Sequence, residues 1–134
     1  MVLGHIGINV PDLEIARRYY ADLMPRVGFE SFLDDEDQFA FMPADAKPGT
    51  YLFFYPSRSA QPFDRETTTG LQHLAFMVPT RTIVNEVHNW AQRAGSEVLH
   101  EPREFPEYPS PYYATFWLDP FGIMLEVVCH RDAT

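Results

Sequence analysis

The chain has 134 residues, 46% of them hydrophobic, 15% aromatic and 22% charged, with 10 Lys+Arg against 19 Asp+Glu for a formal net charge of −9. That length and apolar content suit one compact domain with a core of its own and exclude a disordered chain. No apolar run approaches the roughly 18 residues of a membrane span, and so acidic a surface repels phosphate backbones, so neither a membrane nor a nucleic acid is an expected partner.

The opening MVLGHIGINV lacks the basic flank and long apolar stretch of a secretory signal, and the single cysteine, Cys129, allows neither an internal disulfide nor a Cys-rich zinc site. A reduced, cytoplasmic protein is expected. From Gly4 to Pro11 large residues alternate with smaller or polar ones. Ile6, Ile8 and Val10 share one face, and His5, Gly7 and Asn9 the other, which predicts a half-buried strand. Asp12 is placed to cap a helix whose stripe is Leu13, Ala16, Tyr20, Leu23 and Val27, with Pro25 interrupting its last turn and Gly28 closing it. Three further strands are predicted over 29–33, 38–42 and 50–57, and residues 58–70, without apolar period, form a connector.

The pattern then begins again. Gln72-His73-Leu74-Ala75-Phe76-Met77-Val78-Pro79 repeats the first strand, with His73 at the position of His5. Thr80 or Thr82 caps a second helix with the stripe Ile83, Val84, Val87, Ala91 and Ala94 before Gly95, and strands follow over 97–99, 112–118 and 123–129. Asp119-Pro120-Phe121-Gly122 is the turn between the last two. The loop 100–111, stiffened by Pro102, Pro106, Pro109 and Pro111, reads either as a pocket wall bearing Glu107 and Tyr108 or as plain surface. The expected fold is α+β. Two tandem βαβββ modules, 1–57 and 71–134, make one domain, with helices on the outer face and the opposite sheet faces forming a concave mixed-sheet cup.

Chemistry is sought on the faces turned from the helices. In the last strand Ile123, Leu125 and Val127 should pack on the helix, which turns Met124, Glu126 and Val128 the other way. A carboxylate inside such apolar sequence is costly to bury without a partner. A divalent cation (iron, manganese, nickel or zinc) shared with two imidazoles would supply one. His5, His73 and Glu126 are therefore the candidate ligands. Either histidine alone would read as an ordinary rim residue, and it is their repetition at one position that singles them out. His130, about 13 Å further along the strand than Glu126, cannot share the same ion. His88 is read as structural and Cys129 as a buried thiol.

In GHIGINVPD, GLQHLAFMVP and YYATFWLDPFGIMLEVV the chain resembles the vicinal oxygen chelate (glyoxalase / bleomycin resistance / extradiol dioxygenase) superfamily over nearly its whole length. The resemblance implies paired βαβββ modules around a metal, with His5, His73 and Glu126 as three of its ligands. Glyoxalase I has a fourth, a Glu on the last strand of its first module, and the counterpart here is Phe53, which disfavours lactoylglutathione lyase chemistry. Phe116 stands where the extradiol signature has Tyr, and Gly7 where the fosfomycin-resistance transferases have Thr.

The expected function is a metal-dependent lyase, isomerase or dioxygenase that chelates two neighbouring oxygens of a small, aromatic or flat substrate. Glu126 is a catalytic candidate as well as a ligand, and Tyr55, Tyr108, Tyr113 and His100 are the acid–base candidates. Phe53, Tyr55, Phe116 and Met124 are the expected pocket lining. A homodimer is expected. The alternative is a non-catalytic drug- or metabolite-binding protein of the bleomycin-resistance type.

Overall fold

The computed structural model describes residues 2–132 and 134 and divides the chain into two compact units, one ending at Pro62 and the other beginning at Phe63. The first contains β1 (His5–Val10), α1 (Leu13–Leu23), a 3-10 turn (Met24–Val27), β2 (Phe29–Asp34), β3 (Phe39–Pro43) and β4 (Tyr51–Pro56). The second contains β5 (Leu74–Met77), α2 (Arg81–Arg93), β6 (Val98–Glu104), β7 (Tyr113–Leu118) and β8 (Met124–Cys129). The sheet orders are β1-β4-β3-β2 and β5-β8-β7-β6. In each unit the first strand runs parallel to the last and the other pairs are antiparallel. The repeat in sequence is thus a repeat of topology, and the architecture is α+β as expected. Among the described residues no helix is long and apolar enough to cross a membrane.

Local chemistry explains both helices. The Asp12 side chain accepts from the Ile15 N–H at 3.0 Å, and Thr80, not Thr82, accepts from the Ile83 N–H at 3.3 Å, each removing one orphan donor of a first turn. On α1, Ala16, Tyr20 and Leu23 are buried. On α2 the buried stripe is Val84, Val87, His88, Trp90 and Ala91. Ala94, placed in that stripe by spacing, is instead the exposed C-cap, because the helix ends at Arg93. Against α1 the first sheet stacks Phe54 on Phe39 at 4.7 Å and on Tyr20 at 4.3 Å between ring centroids.

Two boundaries differ from the sequence reading. β6 runs to Glu104 rather than stopping at residue 99, with Pro102 inside it. Its place at the sheet edge allows this, since an edge residue need not donate outward, and the pairing with β7 shifts register twice, as a proline-containing edge strand does. The connector is also not free along its length: the Phe63 N–H donates to the Phe121 C=O at 2.8 Å, which ties its second half to the second unit.

The turn before β8 fixes that strand's register. Asp119 Oδ1 accepts from the N–H groups of Phe121 (2.8 Å) and Ile123 (2.9 Å), and the Asp119 N–H donates to the Ile123 C=O at 2.8 Å. Gly122 completes the turn at φ +95°, where a Cβ would lie 2.2 Å from the Phe63 carbonyl oxygen. Gly122→Ala should therefore cost about 2 kcal/mol or more, combining the left-handed penalty with displacement of backbone. Urea midpoints of wild type and variant measure it, and an unchanged midpoint would contradict this packing.

Candidate functional site

Side-chain direction in the second unit follows from strand register. Across β8, Glu126 pairs with Ala75 on β5 and Phe116 on β7, while Leu125 pairs with Leu74 and Trp117. One face therefore carries Leu74, Phe76, Trp117, Leu125 and Val127. The other carries Ala75, Phe116, Met124, Glu126 and Val128. Phe105, Ala114, Phe116, Met124 and Val128 form an apolar cluster on this second face, and Glu126 is buried to 0% exposure.

A carboxylate so enclosed needs partners for both oxygens. Oε1 lies 3.1 Å from His73 Nε2, and Oε2 accepts from the Tyr112 hydroxyl at 2.5 Å. His73 Nδ1 lies 2.5 Å from Gln72 Oε1. Which ring nitrogen of His73 carries a hydrogen sets the donor and acceptor roles in both contacts. The contact between Nε2 and Oε1 can be made by a hydrogen on Nε2 or by a cation drawing both lone pairs. A separation of 3.1 Å suits either, since N–H···O contacts span about 2.7–3.2 Å and bonds of about 2.0–2.2 Å to a common ion separate adjacent donors by about 3.0–3.4 Å. The His73 side chain is 34% exposed, so the pair is reached from its imidazole side. Among the described residues of this unit, no third His, Cys, Asp or Glu joins them in a group able to hold an ion.

Tyr112 is the residue that spacing did not single out. Its parity with Ala114 and Phe116 was the available signal, but its reach to Glu126 is diagonal, from the loop end of β7. Burial, followed by the hydrogen bond to Glu126, raises its phenol well above the ordinary value, so it remains a proton donor throughout the neutral range.

The other expected site residues fall in three groups. On the face of Glu126, Phe116 lies with its ring centroid 6.0 Å from His73 and 5.5 Å from His100, and Met124 is buried in the apolar cluster. The exposed Tyr108 packs on Tyr112 at 4.7 Å. On the opposite face, Tyr113 donates to Asn85 Oδ1 at 2.7 Å beneath the Arg81 guanidinium. Strand alternation places it on the face opposite Glu126. In the first unit, the exposed His5 lies edge-on to Phe53 at 5.2 Å, and Phe53 stacks with Tyr55 at 6.3 Å. Gly7 pairs with Phe53 in β1–β4 as Ala75 pairs with Glu126 in β5–β8, so Phe53 occupies the register position of Glu126. His130 is exposed against the Tyr112 ring, and Cys129 is a buried free thiol.

The family profile of the Glyoxalase/Bleomycin resistance protein/Dioxygenase superfamily matches residues 2–127. The chain belongs to that superfamily. It is similar to the solved structure of a candidate glyoxalase from Bacillus halodurans, at 30% identity, 95% coverage of this chain, 94% of the other and a TM-score of 0.81. A glyoxalase/dioxygenase from Nostoc punctiforme shares the fold at 22% identity, with 97% and 91% coverage and a TM-score of 0.75. In sequence it is 25% identical over 128 residues to the uncharacterized protein YqjT of Bacillus subtilis (strain 168), covering 94% of this chain and 97% of that one. Members of the superfamily are generally metal-dependent, are often dimers and bind small molecules.

The raised phenol sets an alkaline limit on stability. Below the ordinary tyrosine value near 10, folded and unfolded chains both keep the Tyr112 proton. Above it the unfolded chain loses the proton first, and stability falls as pH rises. Urea unfolding at pH 8 and pH 11 should show a smaller alkaline loss in Tyr112→Phe than in wild type. Equal losses would contradict the placement of this phenol.

Proposed function

We propose that this superfamily member is a divalent-metal-dependent enzyme that chelates two neighbouring oxygens of a small, aromatic or flat substrate, with His73 and Glu126 as metal ligands and His5, supplied by this chain or by a second copy of it, as a third. The observation that carries the proposal is the fully buried Glu126 with Oε1 3.1 Å from His73 Nε2. His5 enters because it holds in the first module the strand position that His73 holds in the second. Iron, manganese, nickel and zinc all accept such a set of imidazoles and carboxylate. When bound, the cation supplies Lewis-acid stabilisation of negative charge developing on a substrate oxygen.

The chain's own residues set the rest. The apolar cluster around Glu126 keeps water from the carboxylate and strengthens electrostatic interactions there. Phe116 and Tyr108 in one module, and Phe53 and Tyr55 in the other, offer ring faces suited to a planar ligand. With Phe53 where a fourth ligand would stand, the chemistry favoured is one that needs no first-module carboxylate. A proton would be moved by His100, exposed beside Phe116, or by the Tyr55 or Tyr108 hydroxyl. The protein is read as a cytoplasmic homodimer, and light scattering after size exclusion checks its mass.

Elemental analysis after loading with each of the four metals should find about one ion per chain in wild type and a loss in His5→Ala, His73→Ala and Glu126→Ala. A folded protein that takes up none of them, yet binds flat aromatics equally well with and without Glu126, would replace this reading with sequestration of a drug or metabolite. Because imidazole must be unprotonated to ligate, occupancy should fall as pH drops below roughly 6. Occupancy unchanged at pH 4.5 would contradict histidine ligation.

A further inference from the structure

We propose that Tyr112 is a positioning residue that holds Glu126 to the use of a single oxygen. This inference rests on the metal-binding reading above. The two oxygens of Glu126 have different surroundings: Oε2 accepts the Tyr112 hydroxyl at 2.5 Å, and Oε1 alone faces His73 Nε2. A free carboxylate can turn about its last bond and offer either oxygen, or both, to a cation. One that is buried and clamped at Oε2 cannot, and it presents Oε1 alone.

Tyr112 is itself well held. Its ring contacts Tyr108 at 4.7 Å, His130 at 5.0 Å and Phe105 at 6.0 Å, and its carbonyl accepts the Phe105 N–H at 2.9 Å, which closes the loop between β6 and β7. The neighbour directly across the strand, Phe116, has no hydroxyl to offer. The diagonal approach from Tyr112 supplies the donor to Oε2. The device would keep a coordination position open for substrate that a two-oxygen glutamate would occupy, so Tyr112 acts through Glu126 and not on the reacting atoms.

Cobalt(II) is a suitable probe, because its visible absorption reports coordination number without any turnover. Wild type should bind it, and Tyr112→Phe should bind it 10- to 100-fold more weakly, as loss of an outer-sphere hydrogen bond to a ligand does. The variant's visible bands should also weaken and shift as the released oxygen adds to the ion. Tyr19→Phe, the same change made on helix α1, should leave affinity and spectrum unchanged. If Tyr112→Phe does not fold, the infrared difference spectrum of wild type on zinc loading decides. A wide splitting of the two carboxylate stretches, the one-oxygen mode, supports the proposal, and the narrow splitting of a chelating carboxylate overturns it. Equal affinity and an identical cobalt spectrum in a folded Tyr112→Phe would overturn this inference alone, provided that wild-type binding depends on His73 and Glu126. Absence of cobalt binding in wild type would remove the metal-binding reading and this inference with it.

Discussion

A carboxylate in the middle of a buried strand is the constraint around which the second module is arranged. Glu126 has apolar neighbours on its own face and no solvent exposure, and a carboxyl group so placed is tolerated only when each oxygen has a partner. The surrounding sequence meets that demand from separate elements. The residue before β5 brings an imidazole to one oxygen, and the loop end of β7 brings a phenol to the other. The Asp119 turn sets the register that points the carboxylate away from the helix. A slip of one residue in β8 would send Glu126 into the helix-packed layer among Leu125 and Val127, so the turn matters as much to the site as the site's own side chains.

The two modules show what divergence of a duplicated unit does to chemistry. Their strand orders and registers are alike, and each opens with a histidine at the same position. The partner position on the last strand then differs, Phe53 in one and Glu126 in the other. The first module consequently makes a ring-to-ring contact where the second makes an imidazole–carboxylate pair. The aromatic residues Tyr51, Phe53, Tyr55 and Phe32 dominate the first module's non-helical face. One module is therefore fitted for hydrophobic contact and the other for polar work, although their backbones follow the same plan.

Much of this was legible before any coordinates. Alternation in the strands gave each face its residues, the repeat gave the topology, and Asp119 and Gly122 declared their turn, because each signal is local and backbone-driven. What escaped depended on distance or context. The contact of Tyr112 with Glu126 spans two strands diagonally, beyond any short-range pattern. Pro102 inside β6 reads as a loop until the strand is known to lie at an edge. The contacts of Tyr113 with Asn85 and Arg81 likewise depend on a helix distant in sequence. His88 lies in the α2 stripe, buried among Val84, Val87 and Ala91, where helical spacing alone would expect only apolar side chains.

Gly7 bears on how this site could change over evolutionary time. A Cβ built there would come within 3.2 Å of the Tyr55 ring, which lies across the strand at that point. A larger residue at position 7 therefore needs that ring to give by a few tenths of an ångström. Positions 7 and 55 are thus coupled, and how far the ring at one can yield decides what side chain the other accepts.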